Sequence, residues 1–117
     1  MFVLAWLAPF LFTLLVEAPV YVLATRRIFA FGWAVLLVLL LNVATHPVAW
    51  GLMTLGRGYF PYGVLAIEGA VVLAEGLLLF AAARSRFARQ PLSLRTALAV
   101  SLAANSFSAG VGLLALN

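Results

Sequence analysis

Three glutamates, Glu17, Glu68 and Glu75, and a single histidine, His46, all lie inside apolar runs long enough to cross a bilayer. No other acidic residue or imidazole occurs in the chain. The seven arginines do the opposite and fall in short polar connections or at the ends of those runs. A carboxylate in hydrocarbon costs several kcal/mol unless it is protonated, paired or metal-bound, so these four residues are candidates for function. Two side-chain amides at mid-run, Asn42 and Asn105, and the hydroxyls of Thr45, Ser101 and Ser108 extend the polar set.

One imidazole, three carboxyls and two amides make an oxygen-rich ligand set. It suits a divalent ion such as Zn, Mn or Fe, with Glu17, His46, Glu68 and Glu75 as metal ligands. The chain lacks the signatures that usually hold such ions in helices. There is no His-Glu-x-x-His, no second His and no repeated Glu-x-x-His. Proton chemistry asks for less. Desolvation favours the neutral carboxyl, and imidazole titrates near neutrality. His46 beside Glu68, stacked above Glu17 and Glu75, is a candidate relay. A static network is the competing account, but intramembrane hydrogen bonds are worth only about 0.6 kcal/mol on average, a small return for three buried glutamates. No triad-like grouping supports nucleophilic catalysis. No glycine-rich phosphate loop and no internal basic run points to nucleotides or nucleic acid.

The elements that must position these groups are four apolar segments, Phe2–Ala24, Phe29–Leu55, Pro61–Ala83 and Leu92–Leu116. Each is long enough to cross about 30 Å of hydrocarbon as a helix. Of the 117 residues, 67% are hydrophobic and 9% charged, far from the one-quarter charged of soluble domains, and mean hydropathy is +1.20. The expected architecture is all-α, a polytopic membrane protein forming a single four-helix transmembrane domain over residues 1–117. The short connections Thr25–Ile28, Gly56–Phe60 and Arg84–Pro91 make sequential helices antiparallel neighbours. With no cysteine, disulfides and thiolate metal sites are excluded. The first segment lacks a basic n-region and is interrupted by Glu17, so it reads as a span and not as a cleaved signal.

Six arginines, Arg26, Arg27, Arg84, Arg86, Arg89 and Arg95, belong to the first and third connections, and Arg57 alone to the second. The positive-inside rule then puts the first and third connections in the cytoplasm and both termini outside, as expected of a chain in the cytoplasmic membrane. Trp6, Trp33, Trp50, Tyr59 and Tyr62 fall near span ends, as interfacial aromatics do. A rise of about 1.5 Å per residue puts Glu17 and Glu75 about 12 Å above the cytoplasmic edge, Asn105 at about 15 Å and Asn42 at about 19 Å. His46 and Glu68 come out at about 22–25 Å, forming an outer layer. Glu68 and Glu75 share one helix face, as do Asn42 and His46, Thr13 and Glu17, and Ser101, Asn105 and Ser108. Each span therefore has one polar stripe, and the stripes must turn inward.

The first and third spans share a pattern, Leu15-Val16-Glu17-Ala18 against Leu73-Ala74-Glu75-Gly76, each glutamate followed nine residues later by an arginine. The second and fourth spans each carry an asparagine followed three residues later by a hydroxyl, Asn42 with Thr45 and Asn105 with Ser108. Two such hairpins would form a parallel internal repeat about an axis along the membrane normal, with Glu17 facing Glu75 and Asn42 facing Asn105. Pro19 and Pro47 each free a helix carbonyl, at Leu15 and Val43. Small residues fill the fourth span and point to close packing.

The set Glu17-Ala18-Pro19, Asn42 with Thr45-His46-Pro47, paired glutamates in the third span and Ser101 with Asn105 in the fourth resembles a group of small four-span bacterial membrane proteins. The likeness runs over nearly the whole chain. It implies the four-span fold and, since no activity is assigned to the group, no function. The residues themselves point to a buried Glu/His/Asn site that binds a cation, either a proton or a divalent metal, in transport. Two alternatives stay open: a membrane-embedded metalloenzyme acting on a lipid or apolar substrate, and an accessory subunit of a larger membrane complex. The expected partners are the lipid bilayer and either a second copy of the chain or a larger complex, with no nucleic acid.

Overall fold

The computed structural model describes residues 2–55 and 61–115, with side chains from residue 4 onward. Four helices follow one another, α1 (Phe2–Ala24), α2 (Phe31–Leu55), α3 (Tyr62–Ala82) and α4 (Leu94–Ala115), and the described residues contain no strand. All four are long and apolar enough to cross a membrane, so the chain is an integral membrane protein of four-helix-bundle form. The second connection, with Arg57 and Tyr59, and the end of the fourth segment at Leu116 lie outside the described residues.

The helices stand in a ring, α1 against α2 and α4, and α3 against α2 and α4, leaving α1–α3 and α2–α4 as diagonals. The molecule is 44 Å long, which suits about 40–45 Å of bilayer including headgroups. Leucines such as Leu15, Leu40, Leu65 and Leu102 point outward, the arrangement hydrocarbon requires. Pro19 and Pro47 also lie on the outer surface, so their rings line no part of the interior.

Helix starts differ from expectation by one or two residues, for physical reasons. α2 begins at Phe31 because Ile28 and Phe29 fold back into the core, both bonding their N–H groups to the Thr25 carbonyl. α4 begins at Leu94 because Ser93 caps it, its Oγ accepting from the Thr96 N–H at 3.1 Å. The Arg89 N–H bonds the Ile28 carbonyl at 2.7 Å and ties the first connection to the third. Trp33 packs against Phe87 at the same end, with ring centroids 4.1 Å apart and the planes tilted by 34°.

Packing is lopsided along the bundle. Tyr21, Ile28, Phe29, Val38, Leu41, Leu79, Ala83 and Ala97 form a tight core at the arginine end. α3 and α4 touch there: a Cβ on Gly76 would meet the Leu98 Cα at 3.1 Å. Toward the termini, Phe10 is the buried apolar side chain among the described residues. The arginine end is closed and the terminal end is loosely filled.

Candidate functional site

The loose half holds a cavity of about 240 Å³, walled by all four helices. Glu17, Asn42, His46, Glu68, Glu75 and Asn105 all line it, so the structure gathers the six mid-span polar residues around one space. Thr13, Thr45 and Ser108 line it as well. Ser101 does not; its hydroxyl donates to the Val72 carbonyl at 2.8 Å and fastens α4 to α3. Trp50, Met53 and Gly112 mark the end of the cavity toward the termini, and the packed core closes the other end.

Glu17 and Glu75 are each about 1% exposed, so their hydrogen bonds must come from protein or cavity water. Asn42 Nδ2 donates to Glu17 Oε2 at 3.2 Å, and Ser108 Oγ donates to Glu17 Oε1 at 2.8 Å. Asn105 Nδ2 donates to Glu75 Oε2 at 2.8 Å, and Thr45 Oγ1 donates to Glu75 Oε1 at 2.7 Å. The two sets are related by the internal repeat. Each glutamate takes an amide from its own hairpin and a hydroxyl from the other. Each asparagine also donates to the carbonyl one turn back, Asn42 to Val38 and Asn105 to Ser101. The weak sequence repeat is thus a geometric one, and it welds the hairpins together.

The hydroxyls have a second property. Thr45 Oγ1 lies 2.9 Å from the Leu41 carbonyl as well as beside Glu75, and Ser108 Oγ lies 3.1 Å from the Asn105 carbonyl as well as beside Glu17. A hydroxyl has one proton and two acceptor lone pairs. With an ionised glutamate it donates to the carboxylate. With a protonated one it accepts from the carboxyl and donates to the backbone carbonyl instead. Both charge states are satisfied without moving a heavy atom.

Tyr21 breaks the symmetry. Its hydroxyl donates to Glu75 Oε2 at 2.7 Å, and the corresponding position on α3 is Leu79. Sequence reasoning missed it, although it lies one turn beyond Glu17 and so on the same helix face; a tyrosine near a span end passes for an interfacial aromatic. The same holds for two tryptophans. Trp6 Nε1 donates to His46 Nδ1 at 2.8 Å, and Phe10 packs edge-on against the imidazole. Trp50 Nε1 is buried with no hydrogen-bond partner among the described residues. Trp33 and Tyr62 are exposed near helix ends, as interfacial residues are.

The expected outer layer is looser than the inner one. His46 and Glu68 share the cavity, but the hydrogen bond described for His46 goes to Trp6. Among the described residues no group of three His, Asp or Glu side chains could hold a metal ion. No lysine or arginine lines the cavity either, so its carboxyls have no fixed counter-charge there. No protein-family model, no curated protein and no solved structure matches this chain. The site must therefore be read from its own chemistry.

Proposed function

We propose that the chain is a small membrane transporter whose Glu17–Glu75 pair binds protons from a vestibule open toward the termini. The observation that carries this reading is the pair of hydroxyl switches, Thr45 at Glu75 and Ser108 at Glu17, each able to donate to a carboxylate or accept from a carboxyl. Serine and threonine in helices commonly reach their own i−3 or i−4 carbonyl; what favours titration here is that each such hydroxyl also meets a buried carboxyl with no lysine or arginine beside it in the cavity. Three carboxyls in one low-dielectric cavity without a lysine or arginine neighbour call for a proton or an external cation. The closed arginine end makes this an arrangement accessible from one face, and transport requires a second one in which that end opens. The arginine distribution supports a cytoplasmic position for the closed end.

Infrared difference spectroscopy of the protein in liposomes tests the reading. A carboxyl band should appear and vanish as the external pH on the terminal side is cycled. Glu17→Gln and Glu75→Gln should each remove part of it, and the double variant all but the share of Glu68. A band unchanged in the double variant, or no titrating band between pH 4 and pH 10, would sink the proposal. A divalent occupant is the competing outcome. Zn or Mn would then raise the melting temperature by mass action, and His46→Ala would abolish the rise.

A further inference from the structure

A second hollow, of about 360 Å³, lies on the outer flank between α2 and α3. It is lined by apolar and small residues, among them Ala44, Val48, Leu52, Ala66, Ile67 and Ala70. Most of these face the hydrocarbon zone and are exposed there. Thr45, Ala49 and Val71 line both this groove and the carboxyl cavity, so one thin wall separates them. Thr45 is the pivotal member, since its hydroxyl rests on Glu75 while its side chain forms part of the groove.

The internal repeat supplies a comparison within the same molecule. In the register that pairs Glu17 with Glu75 and Asn42 with Asn105, Ala70 corresponds to Phe12 and Ala44 to Phe107. On the α1–α4 flank those two rings stand where the α2–α3 flank has methyl groups. Phe12 also lies over Gly112, its Cε1 3.8 Å from where a Cβ would be, and Gly112 corresponds to Ala49. The two halves keep the polar pattern and differ in bulk at the flank.

We infer that the groove admits the alkyl chain of an amphiphilic amine or quaternary ammonium from the bilayer, with its cationic head in the carboxyl cavity. The inference rests on the cavity serving as a cation site, as proposed above. Charge complementarity selects the head, because the cavity wall carries Glu17, Glu68 and Glu75 and no basic chain other than His46. Phe12 and Trp50 add aromatic faces of the kind that attract alkylammonium groups. Adjacency selects the tail, because Thr45, Ala49 and Val71 line both spaces, and these side chains would have to part for the chain on a head at Glu75 to enter the groove. Water does not fill such a groove at this depth, whereas an alkyl chain does.

The test uses full-length protein in phosphatidylcholine nanodiscs and dodecyltrimethylammonium carrying a diazirine at mid-chain. Photolabelling followed by peptide mapping should place the adduct within residues 44–52 and 66–74. Unlabelled dodecyltrimethylammonium should compete it away, and dodecanol should not. Ala70→Phe, which copies the residue at the corresponding α1 position, should lower the affinity by about tenfold or more, the equivalent of withdrawing roughly two methylenes from an apolar site. Tetramethylammonium, read by Trp50 fluorescence, should bind Ala70→Phe as it binds the parent. Ala44→Phe, on the opposite wall, repeats the experiment if Ala70→Phe fails to fold. Labelling spread over outward leucines of all four helices, or equal competition by dodecanol, overturns the inference. The carboxyl infrared band is read independently. A titrating band with no saturable labelling removes the amphiphile and keeps the proton site. Saturable labelling with no titrating band does the reverse.

Discussion

Tyr21 reaches across the diagonal of the bundle to Glu75, Oη to Oε2 at 2.7 Å, and this bond has no counterpart at Glu17. The two glutamates otherwise share one pattern of amide and hydroxyl donors. Glu75 therefore has three side-chain donors and Glu17 two. The bond also sits on the boundary between the cavity and the packed core, since Tyr21 belongs to the core cluster and Glu75 to the cavity wall.

Tyr21→Phe should keep the fold and cost about 0.6–1.5 kcal/mol, the range of one intramembrane or buried hydrogen bond. Unfolding in mixed micelles measures it. A double-mutant cycle with Glu75→Gln should show coupling, and a cycle with Glu17→Gln should show much less. Equal coupling to both glutamates would contradict the asymmetry.

The hydroxyl switch makes a sharper prediction at Thr45. Thr45→Ser keeps the switching oxygen and should preserve the titrating carboxyl band. Thr45→Val keeps the shape, removes the switch and leaves a Glu75 oxygen without its donor, at a cost of about 1–3 kcal/mol. Ser108→Ala should do the same at Glu17. If Thr45→Val titrates like the parent, the hydroxyl is a structural tether and not a proton partner.

Much of this arrangement was legible in the sequence. Span number, span ends within two residues and the inward turn of six polar residues follow from hydropathy and from the cost of polar groups in lipid. The repeat was readable from Glu17/Glu75 and Asn42/Asn105, because symmetric hairpins repeat their polar positions. What stayed hidden involves direction and partner. Tyr21 and Trp6 look like interface anchors until a helix crosses them, and the His46 ring meets Trp6 where Glu68 was expected. The α2–α3 groove is lined by Ala70 and Ala44 where the repeat has Phe12 and Phe107, a contrast that shows only once the halves are superposed.

His46 carries a definite tautomer. Its Nδ1 accepts from Trp6 Nε1, so the neutral ring holds its proton on Nε2. Nitrogen NMR of labelled protein at neutral pH should show an unprotonated, hydrogen-bonded Nδ1. Trp6→Phe should release it and admit the other tautomer. Protonation of the ring makes Nδ1 a donor and breaks the bond, so Trp6 fluorescence should follow histidine titration in the parent and not in His46→Ala. A single Nδ1–H form in the parent would show that the imidazole faces a different partner.

Glycine positions separate close packing from free helix surface. At Gly76 an added methyl would meet Leu98 Cδ2 at 2.6 Å and its Cα at 3.1 Å, and backbone cannot yield as a side chain does. Gly76→Ala should therefore push α3 from α4 and cost about 1–3 kcal/mol, as overpacking does. Gly69→Ala lies on the same helix with nothing within 4 Å of the new methyl, and Gly51→Ala does likewise on α2. There the helix gains about 0.5–1 kcal/mol of propensity at most, so melting temperatures should stay level or rise slightly. The contrast also tests where the bundle is closed. Gly76 is buried beside Glu75 at the edge of the arginine-end core, and separating α3 from α4 there would loosen the seal below the vestibule. The chain has no cysteine, so a lone Val38→Cys in that core reports the seal without background. A membrane-impermeant maleimide should leave it unlabelled in the parent and label it faster in Gly76→Ala. Equal labelling in both, with Gly76→Ala as stable as Gly69→Ala, would mean that the α3–α4 contact is not what closes this end.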